Sequence, residues 1–252
     1  MKKTVFIAVI GALALGGAWL WGSAQKAAMA EPRIPSRFAS SLPAECRQVI
    51  LVESSQQAST SARLWLLDRE NYHGPWRKAM GPIVVTLGHK GLAWGDGEHQ
   101  GPAPSDFPIK REGDKCSPAG VFRIPSAFGL AGQDDASWLK LPYTPLTSTI
   151  VGVDDPKSKH YNQIVDSTQI ERDWDSNEAM MRHDSLYRWG AFIAHNPEGT
   201  PGVGSCIFMH IWPFPNSGTS GCTAMAESDL KTVLAWIDPA RQPRLVQGLD
   251  NW

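Results

Sequence analysis

Glycine and proline interrupt this chain so often that the length of any regular element is limited. The 252 residues include 23 glycines and 19 prolines, and long stretches with helical periodicity are few. Both residue types favour turns and disfavour helix interiors. Short elements joined by turns indicate a mainly β fold, a sandwich or a barrel, with a few short helices.

Apolar and alternating runs predict the strands of this fold. Four runs bounded by turn residues predict single strands, at residues 47–54, 62–70, 82–89 and 121–124. Two further runs, 190–196 and 205–212, are joined by the turn sequence PEGTPGVG, which predicts a β-hairpin.

One stretch near the C-terminus changes period. Leu230, Val233, Leu234 and Ile237 recur at the spacing of one helix face. This predicts a short helix that follows Cys222 in the chain.

The N-terminus has the pattern of an export signal. Lys2 and Lys3 precede an apolar stretch and then small residues, which predicts a signal peptide over residues 1–30. An uncleaved membrane anchor is the alternative, because the apolar stretch is long. Residues 31–45, with three prolines, predict a linker to a domain over 46–252. Both alternatives imply a periplasmic or other extracytoplasmic location, with membrane contact only through this N-terminal segment.

Charge and motif content exclude several function classes. The formal net charge of −1 gives no reason to expect a nucleic-acid partner. Neither H-E-x-x-H nor C-x-x-C spacing occurs, so we expect no metal site. We also expect no organic cofactor.

The segment HIWPFPNSGTSGCTAM carries the candidate chemistry. Cys206, Phe208 and His210 share one face of the predicted strand, and the following loop can return Cys222 to the side of His210. A base beside a thiol favours the reactive thiolate. The alternatives are a small buried thiol or a structural disulfide that involves Cys222.

The residues just before Cys222 are candidates for binding a negatively charged oxygen. Thr219, Ser220 and Gly221 supply backbone N–H groups near the thiol. Gly221 also lets the backbone approach a substrate closely.

Four cysteines in an oxidising compartment suggest disulfides. If Cys222 stays free, at most one bridge can form. Cys206 shares a strand face with His210, and Cys116 lies in a loop expected near the same cleft. We therefore expect a Cys116–Cys206 bridge that leaves Cys46 free.

Other polar residues are expected to have structural roles. His195 lies on the neighbouring strand and is interpreted as structural. Asp154 and Asp155 suit a turn better than a glycosidase pair. Lys110 and Arg111 are interpreted as solvated loop charges, with binding of a peptide carboxylate as the alternative.

Three tryptophans are candidates for walls of the cleft. Trp94, Trp189 and Trp212 lie in or beside the segments expected near Cys222. There they could shield a reactive intermediate from water.

The segment FMHIW…TSGCTAM resembles the catalytic segment of the YkuD-type L,D-transpeptidase family, in a branch with a short histidine-to-cysteine interval. GHKGLAWG, KREGDKCSPAGVFRI, VDDPKSKHYNQIVD and YRWGAFIAHN resemble further blocks of the same branch, so the resemblance covers residues 47–238. Two positions depart from the better-known branch: Ser220 replaces a frequent histidine, and Ala224 replaces a frequent arginine or asparagine.

The resemblance implies a β catalytic domain that acts on peptidoglycan stem peptides as donor and acceptor. Cys222 would be the nucleophile, His210 its general base and acid, and residues 219–221 the oxyanion loop. A thioester on Cys222 would pass to an amine and give a 3→3 crosslink. Transfer to water, as in an L,D-carboxypeptidase, and a non-catalytic wall-binding module are the alternatives.

Overall fold

The computed structural model describes residues 31–252, of which residues 34–252 form one compact unit. The signal or anchor expected at residues 1–30 lies outside the described residues. None of the helices in the described part is long and apolar enough to cross a membrane.

The described residues are mainly β, which confirms the predicted fold class. They form two α-helices, two single 3₁₀ turns at Asp134–Ala136 and Pro239–Arg241, and fourteen strands. The helices are α1 (Ser36–Ala39) and α2 (Glu227–Trp236), and the strands are β1 (Gln48–Ser54), β2 (Ser61–Asp68), β3 (Arg77–Thr86), β4 (Leu92–Trp94), β5 (Ser117–Arg123), β6 (Ala127–Gly129), β7 (Tyr143–Pro145), β8 (Ile150–Val153), β9 (Ile164–Asp166), β10 (Asn177–Ala179), β11 (Trp189–Phe192), β12 (Phe208–Ile211), β13 (Thr223–Met225) and β14 (Arg244–Leu249).

Eleven strands form one large sheet in the order β4-β5-β14-β1-β2-β3-β13-β12-β11-β6-β7. The last strand, β14, lies between β1 and β5; it pairs parallel with β1 and antiparallel with β5. The other three strands form a small antiparallel sheet in the order β10-β8-β9.

Both faces of the central strands are covered by apolar side chains. In β1, Ile50 and Val52 belong to the main core, whereas Val49 and Leu51 belong to a second core on the opposite face. The main core also receives side chains from β11 and β12, far from β1 in the strand order. The large sheet therefore curls around this core, as in a sandwich, and α2 packs against it.

The predicted elements are largely confirmed. The four single strands correspond to β1, β2, β3 and β5, although β3 begins earlier, at Arg77. The hairpin is formed by β11 and β12, with Gly190 opposite His210. The predicted helix is α2, with Leu230, Val233 and Leu234 buried. The small sheet escaped prediction because its strands are only three or four residues long.

Part of the segment expected to be a linker packs against the domain. Phe38 is fully buried and Leu42 is nearly so. The Phe38 ring lies 5.7 Å from the rings of Trp94, His99 and Trp252. Residues 34–45 therefore contribute to the second core.

This packing predicts that Phe38→Ala destabilises the domain. Removal of a fully buried phenylalanine typically costs about 3–5 kcal/mol, so the free energy of unfolding should fall by that order. Urea unfolding of the variant measures the change. Phe214→Ala is the matched control, because Phe214 is 62% exposed; equal effects of the two changes would contradict the packing.

Candidate active site

Two adjacent parallel strands place Cys222 close to His210. His210 lies on β12 opposite Ala224 of β13, and Cys222 immediately precedes β13. The parallel register continues to place Cys222 beside Phe208, two residues before His210. The predicted alternation is confirmed, because Cys206 and Phe208 share an apolar cluster with Cys222, whereas the alternate residues of β12 face the main core.

Hydrogen bonds to neighbouring segments hold the loop that precedes Cys222. The Thr219 N–H donates to the Leu87 carbonyl (2.9 Å), and the His89 N–H donates to the Thr219 carbonyl (2.8 Å). The Cys222 carbonyl accepts from the hydroxyls of Ser117 (2.9 Å) and Thr219 (2.6 Å). The nucleophile candidate is therefore fixed to segments that are distant in sequence.

Glycine is required at two positions of this loop. Gly221 has φ +151°, and a Cβ there would lie 3.0 Å from the Cys116 carbonyl oxygen and 3.1 Å from Ile207. Gly218 has φ +66°, and a Cβ there would lie 2.3 Å from the His89 ring. Both glycines permit close packing of the loop that other residues would prevent.

Cys222 and His210 line one cavity of about 560 Å³. This volume suits a peptide-sized or smaller ligand. The loop before Cys222, the segment around Glu178 and Tyr187, and the Glu112 loop form its walls. The lining residues are His89, Glu112, Gly113, Asp154, Glu178, Arg182, Leu186, Tyr187, Ser205, Cys206, Ile207, His210, Pro213, Phe214, Ser217, Gly218, Thr219, Ser220, Gly221 and Cys222.

The His210 ring is held through one nitrogen and leaves the other available. Nδ1 lies 2.7 Å from the Ile211 carbonyl oxygen. Because a carbonyl only accepts hydrogen bonds, Nδ1 carries the proton and Nε2 retains its lone pair. Nε2 is therefore in the form that can accept a proton.

The Cys222 thiol is held by the backbone around Cys206 and Phe208. Its Sγ accepts from the Phe208 N–H (3.4 Å) and donates to the Cys206 carbonyl (3.7 Å). Among the described residues, no hydrogen bond joins Cys222 to His210. Both side chains are less than a tenth exposed.

Burial favours the neutral forms of both groups. Desolvation raises the pKa of Cys222 from 9.0 to about 12, and the negative charge of Glu178 acts in the same direction. Desolvation lowers the pKa of His210 from 6.5 to about 4. The resting pair is therefore a neutral thiol beside a neutral imidazole. The expectation that the histidine favours a preformed thiolate does not hold for this state.

Two of the amides expected to bind an oxyanion are already engaged. The Gly221 N–H donates to Thr219 Oγ1 (3.1 Å), and the Thr219 N–H is held by Leu87. Of the four amides of residues 219–222, those of Ser220 and Cys222 are the remaining candidates.

Charged side chains surround the cavity. Glu112, Asp154, Glu178 and Arg182 line it. Glu178 bonds to the Tyr187 hydroxyl, yet desolvation is the larger effect and raises the pKa of its carboxyl. Arg182 binds Asp184, with Nε 3.0 Å from Oδ1.

Two of the other polar candidates, His195 and Asp155, make hydrogen bonds that stabilise the fold. His195 is fully buried; its Nδ1 accepts from the Asp96 N–H and its Nε2 donates to the Val203 carbonyl. Asp155 accepts from the Lys157 and Asp175 N–H groups, which confirms its turn role.

Lys110 is not a solvated loop charge. Its side chain is only 3% exposed and its Nζ lies 2.6 Å from Asp114 Oδ1. A buried ammonium needs such a partner because desolvation is otherwise costly. The neighbouring Arg111 is exposed, as predicted.

The predicted Cys116–Cys206 disulfide is not formed. All four cysteines are buried free thiols. The Cys116 thiol points toward the Lys90 and Asp114 carbonyls, whereas the Cys206 thiol points toward the Val153 carbonyl. Cys206 lines the cavity, as the strand face that it shares with His210 predicted. The Cys116 thiol, however, does not lie beside the Cys206 thiol.

The expected tryptophan shield is also wrong. Trp94, Trp189 and Trp212 are absent from the described lining of the cavity. Trp94 packs against Phe38, and Trp189 packs against Trp138, so both serve the cores.

Three residues near Cys222 and His210 were not predicted from the sequence. Ser117 reaches the Cys222 carbonyl from β5, and Tyr187 packs on the His210 ring. Glu178 lines the cavity from the small sheet. Their contacts join segments that are distant in the chain, and no local pattern marks them.

A comparison with protein-family models matches most of the chain to one family. The model described as the L,D-transpeptidase catalytic domain, YkuD, matches residues 47–246. No curated protein and no solved structure matches the chain. Within residues 31–252, no group of three or more His, Cys, Asp or Glu side chains forms a candidate metal site.

Buried histidines predict that acid destabilises the domain. Burial lowers the pKa of His99, His195 and His210 from 6.5 to about 4. Between these values the unfolded chain binds more protons than the folded one, so the free energy of unfolding falls as the pH drops from about 6.5 toward 4.

Urea midpoints measured across this pH range test the prediction. Repetition at high salt separates the histidine effect from general charge repulsion, which salt screens. A midpoint that stays constant through the window would show that these imidazoles are not buried as neutral groups.

Proposed function

We propose that this chain is a peptidoglycan L,D-transpeptidase that acts through Cys222. The chain belongs to the YkuD family of L,D-transpeptidase catalytic domains. The observation that carries the proposal is that His210 on β12 and Cys222, just before the adjacent parallel strand β13, line one cavity. The Nδ1 contact with Ile211 supports the role of His210, because it leaves Nε2 to accept the thiol proton.

Acylation begins from the neutral pair. As Cys222 Sγ attacks the carbonyl of the diamino-acid residue of a stem tetrapeptide, its proton moves to Nε2 of His210. The S–C bond forms and the C–N bond to the terminal D-residue breaks. The proton on His210 then passes to the departing amine. Because burial disfavours the charged forms, proton transfer accompanies attack rather than preceding it.

Loop amides stabilise the oxyanion of this step. Thr219, Ser220 and Gly221 form the oxyanion loop in this proposal, with the Ser220 and Cys222 amides as direct donors. Thr219 supports them through its hydroxyl, which holds the Gly221 N–H and the Cys222 carbonyl. Preorganised donors of this kind stabilise developing negative charge.

Deacylation completes the crosslink. A side-chain amine of a second stem attacks the thioester and gives a proton to His210. The new C–N bond forms, the S–C bond breaks, and the proton passes from His210 to Sγ, so that Cys222 is released as a thiol. The product is a 3→3 crosslink. No metal or organic cofactor takes part in the proposed steps.

Hydrolysis of the same thioester is the second candidate. One observation favours it: the cavity lacks the expected tryptophans, and Phe214 on its rim is 62% exposed. Water reaches an open thioester more readily than an enclosed one. Such an enzyme would be an L,D-carboxypeptidase.

Peptidoglycan stem peptides lie outside the cytoplasm, so the proposed location is periplasmic or otherwise extracytoplasmic. Residues 1–30 would direct export, either as a cleaved signal or as a retained anchor.

Cys222→Ala is predicted to abolish turnover of purified disaccharide-tetrapeptide. Loss of the nucleophile should lower kcat by roughly three or more orders of magnitude, and His210→Ala should lower it by roughly 10²–10⁴. Product analysis by mass spectrometry measures both.

Cys46→Ala is the matched control, because Cys46 is also a buried thiol but lies in the second core. Its activity should match that of the parent. Substantial activity of Cys222→Ala would end the assignment of Cys222 as the nucleophile. Absence of turnover by the parent protein would instead favour a non-catalytic wall-binding module.

Transfer is predicted to exceed hydrolysis when an acceptor is present. With increasing concentration of a second stem, crosslinked dimer should rise and tripeptide should fall, because a bound amine competes with water for one thioester. Chromatography of the two products gives the ratio. If tripeptide remained the sole product at every acceptor concentration, the enzyme would be a hydrolase with unchanged Cys222–His210 chemistry.

A further inference from the structure

The aromatic ring of Tyr187 packs against the imidazole of His210. The ring centroids are 5.2 Å apart at an interplanar angle of 70°. Tyr187 is 4% exposed, and its ring also contacts Phe128 and Phe208, each at 5.6 Å. These contacts leave the tyrosine ring little freedom to move.

The residue before Tyr187 holds the backbone that orients His210. The Ile211 N–H donates to the Leu186 carbonyl (3.1 Å), and the Ile211 carbonyl accepts from His210 Nδ1 (2.7 Å). Tyr187 therefore packs against the imidazole, and Leu186 fixes the backbone of Ile211, whose carbonyl accepts from the imidazole.

Tyr187 is itself tied to the small sheet. Its hydroxyl hydrogen-bonds to Glu178 of β10. Glu178 pairs with Gly152 of β8, and Arg182 lies over the Tyr187 ring at 5.1 Å and 3.6 Å from the Glu178 carboxylate. A continuous set of contacts thus runs from the small sheet to His210.

We propose that Tyr187, held by Glu178, is a positioning residue that fixes the His210 imidazole for proton transfer with Cys222. The inference rests on the proposed function, because it gives His210 the role of base. The small sheet then serves the chemistry as well as forming a cavity wall.

The physical reason lies in the limited support of the imidazole. A ring held by one hydrogen bond can still tilt about that bond, and packing against a fixed aromatic ring limits this freedom. Small errors in the position of a reacting group are costly, since a displacement of about 1 Å can reduce a rate by roughly 10²-fold. In this account the tyrosine hydroxyl acts on His210 only through the ring that its bond to Glu178 anchors.

Tyr187→Phe tests the inference, because it removes the hydroxyl and retains the ring. Two readouts are measured: kcat and KM for the disaccharide-tetrapeptide, and the rate of alkylation of Cys222 by iodoacetamide, followed by mass spectrometry of its peptide. The second needs no substrate. We expect both kcat and the alkylation rate to fall about tenfold, with KM little changed.

Glu178 variants separate positioning from general packing. Glu178→Ala should reproduce the effect of Tyr187→Phe, whereas Glu178→Gln retains a hydrogen-bond acceptor and should restore most of the rate. In the double variant the two losses should not add, because they remove one interaction.

Tyr143→Phe is the matched control. Tyr143 is a partly buried tyrosine whose hydroxyl donates to the Ala131 carbonyl (2.9 Å), and it lies outside the cavity lining. This variant should keep the parent kcat and alkylation rate.

His210→Ala distinguishes failure of the positioning inference from failure of the proposed function. If it slows alkylation but Tyr187→Phe and Glu178→Ala leave both rates at the parent value, the positioning inference is overturned and the proposed function stands. If His210→Ala itself leaves the alkylation rate and turnover unchanged, the proposed dyad and the inference both fail. A loss in Tyr187→Phe that Glu178→Gln shares in full would also contradict the inference.

Discussion

The carbonyl group of Cys222 is the point on which the candidate site depends. It accepts from two hydroxyls, those of Ser117 and Thr219, and Ser117 Oγ also accepts from the Gly88 N–H (2.9 Å). One peptide group thus connects β5, the segment after β3 and the loop before β13. This connection fixes the direction of the Cys222 side chain without any direct bond between the thiol and His210.

Burial of the pair has two opposing effects. It disfavours both the thiolate and the imidazolium, so the resting enzyme is poorly nucleophilic. It also strengthens each electrostatic contact in the site. In the proposed reaction, the substrate places an acyl carbon at Sγ and its developing oxyanion at the loop amides, and these contacts stabilise the charge that burial alone disfavours. Reactivity is then coupled to binding.

The sequence predicted the parts of the site that lie along single strands and turns. Alternation along residues 206–211 correctly placed Cys206, Phe208 and His210 on the face opposite the main core. The period change after Cys222 correctly predicted α2. The contacts of Ser117, Glu178 and Tyr187 could not be predicted, because they depend on the register between segments far apart in the chain. The disulfide and the tryptophan shield failed for the same reason: sharing a region of the fold does not determine where side chains point.

The position of β14 between β1 and β5 limits the order in which the domain can assemble. The strands at the start of the domain have no complete neighbour on one side until the C-terminal strand is inserted between them. Native pairing on that side therefore waits for β14, and the high sequence separation between the paired strands slows folding. Until β14 pairs, the facing edges of β1 and β5 expose unpaired backbone N–H and C=O groups, which the edge strand of another chain can bind.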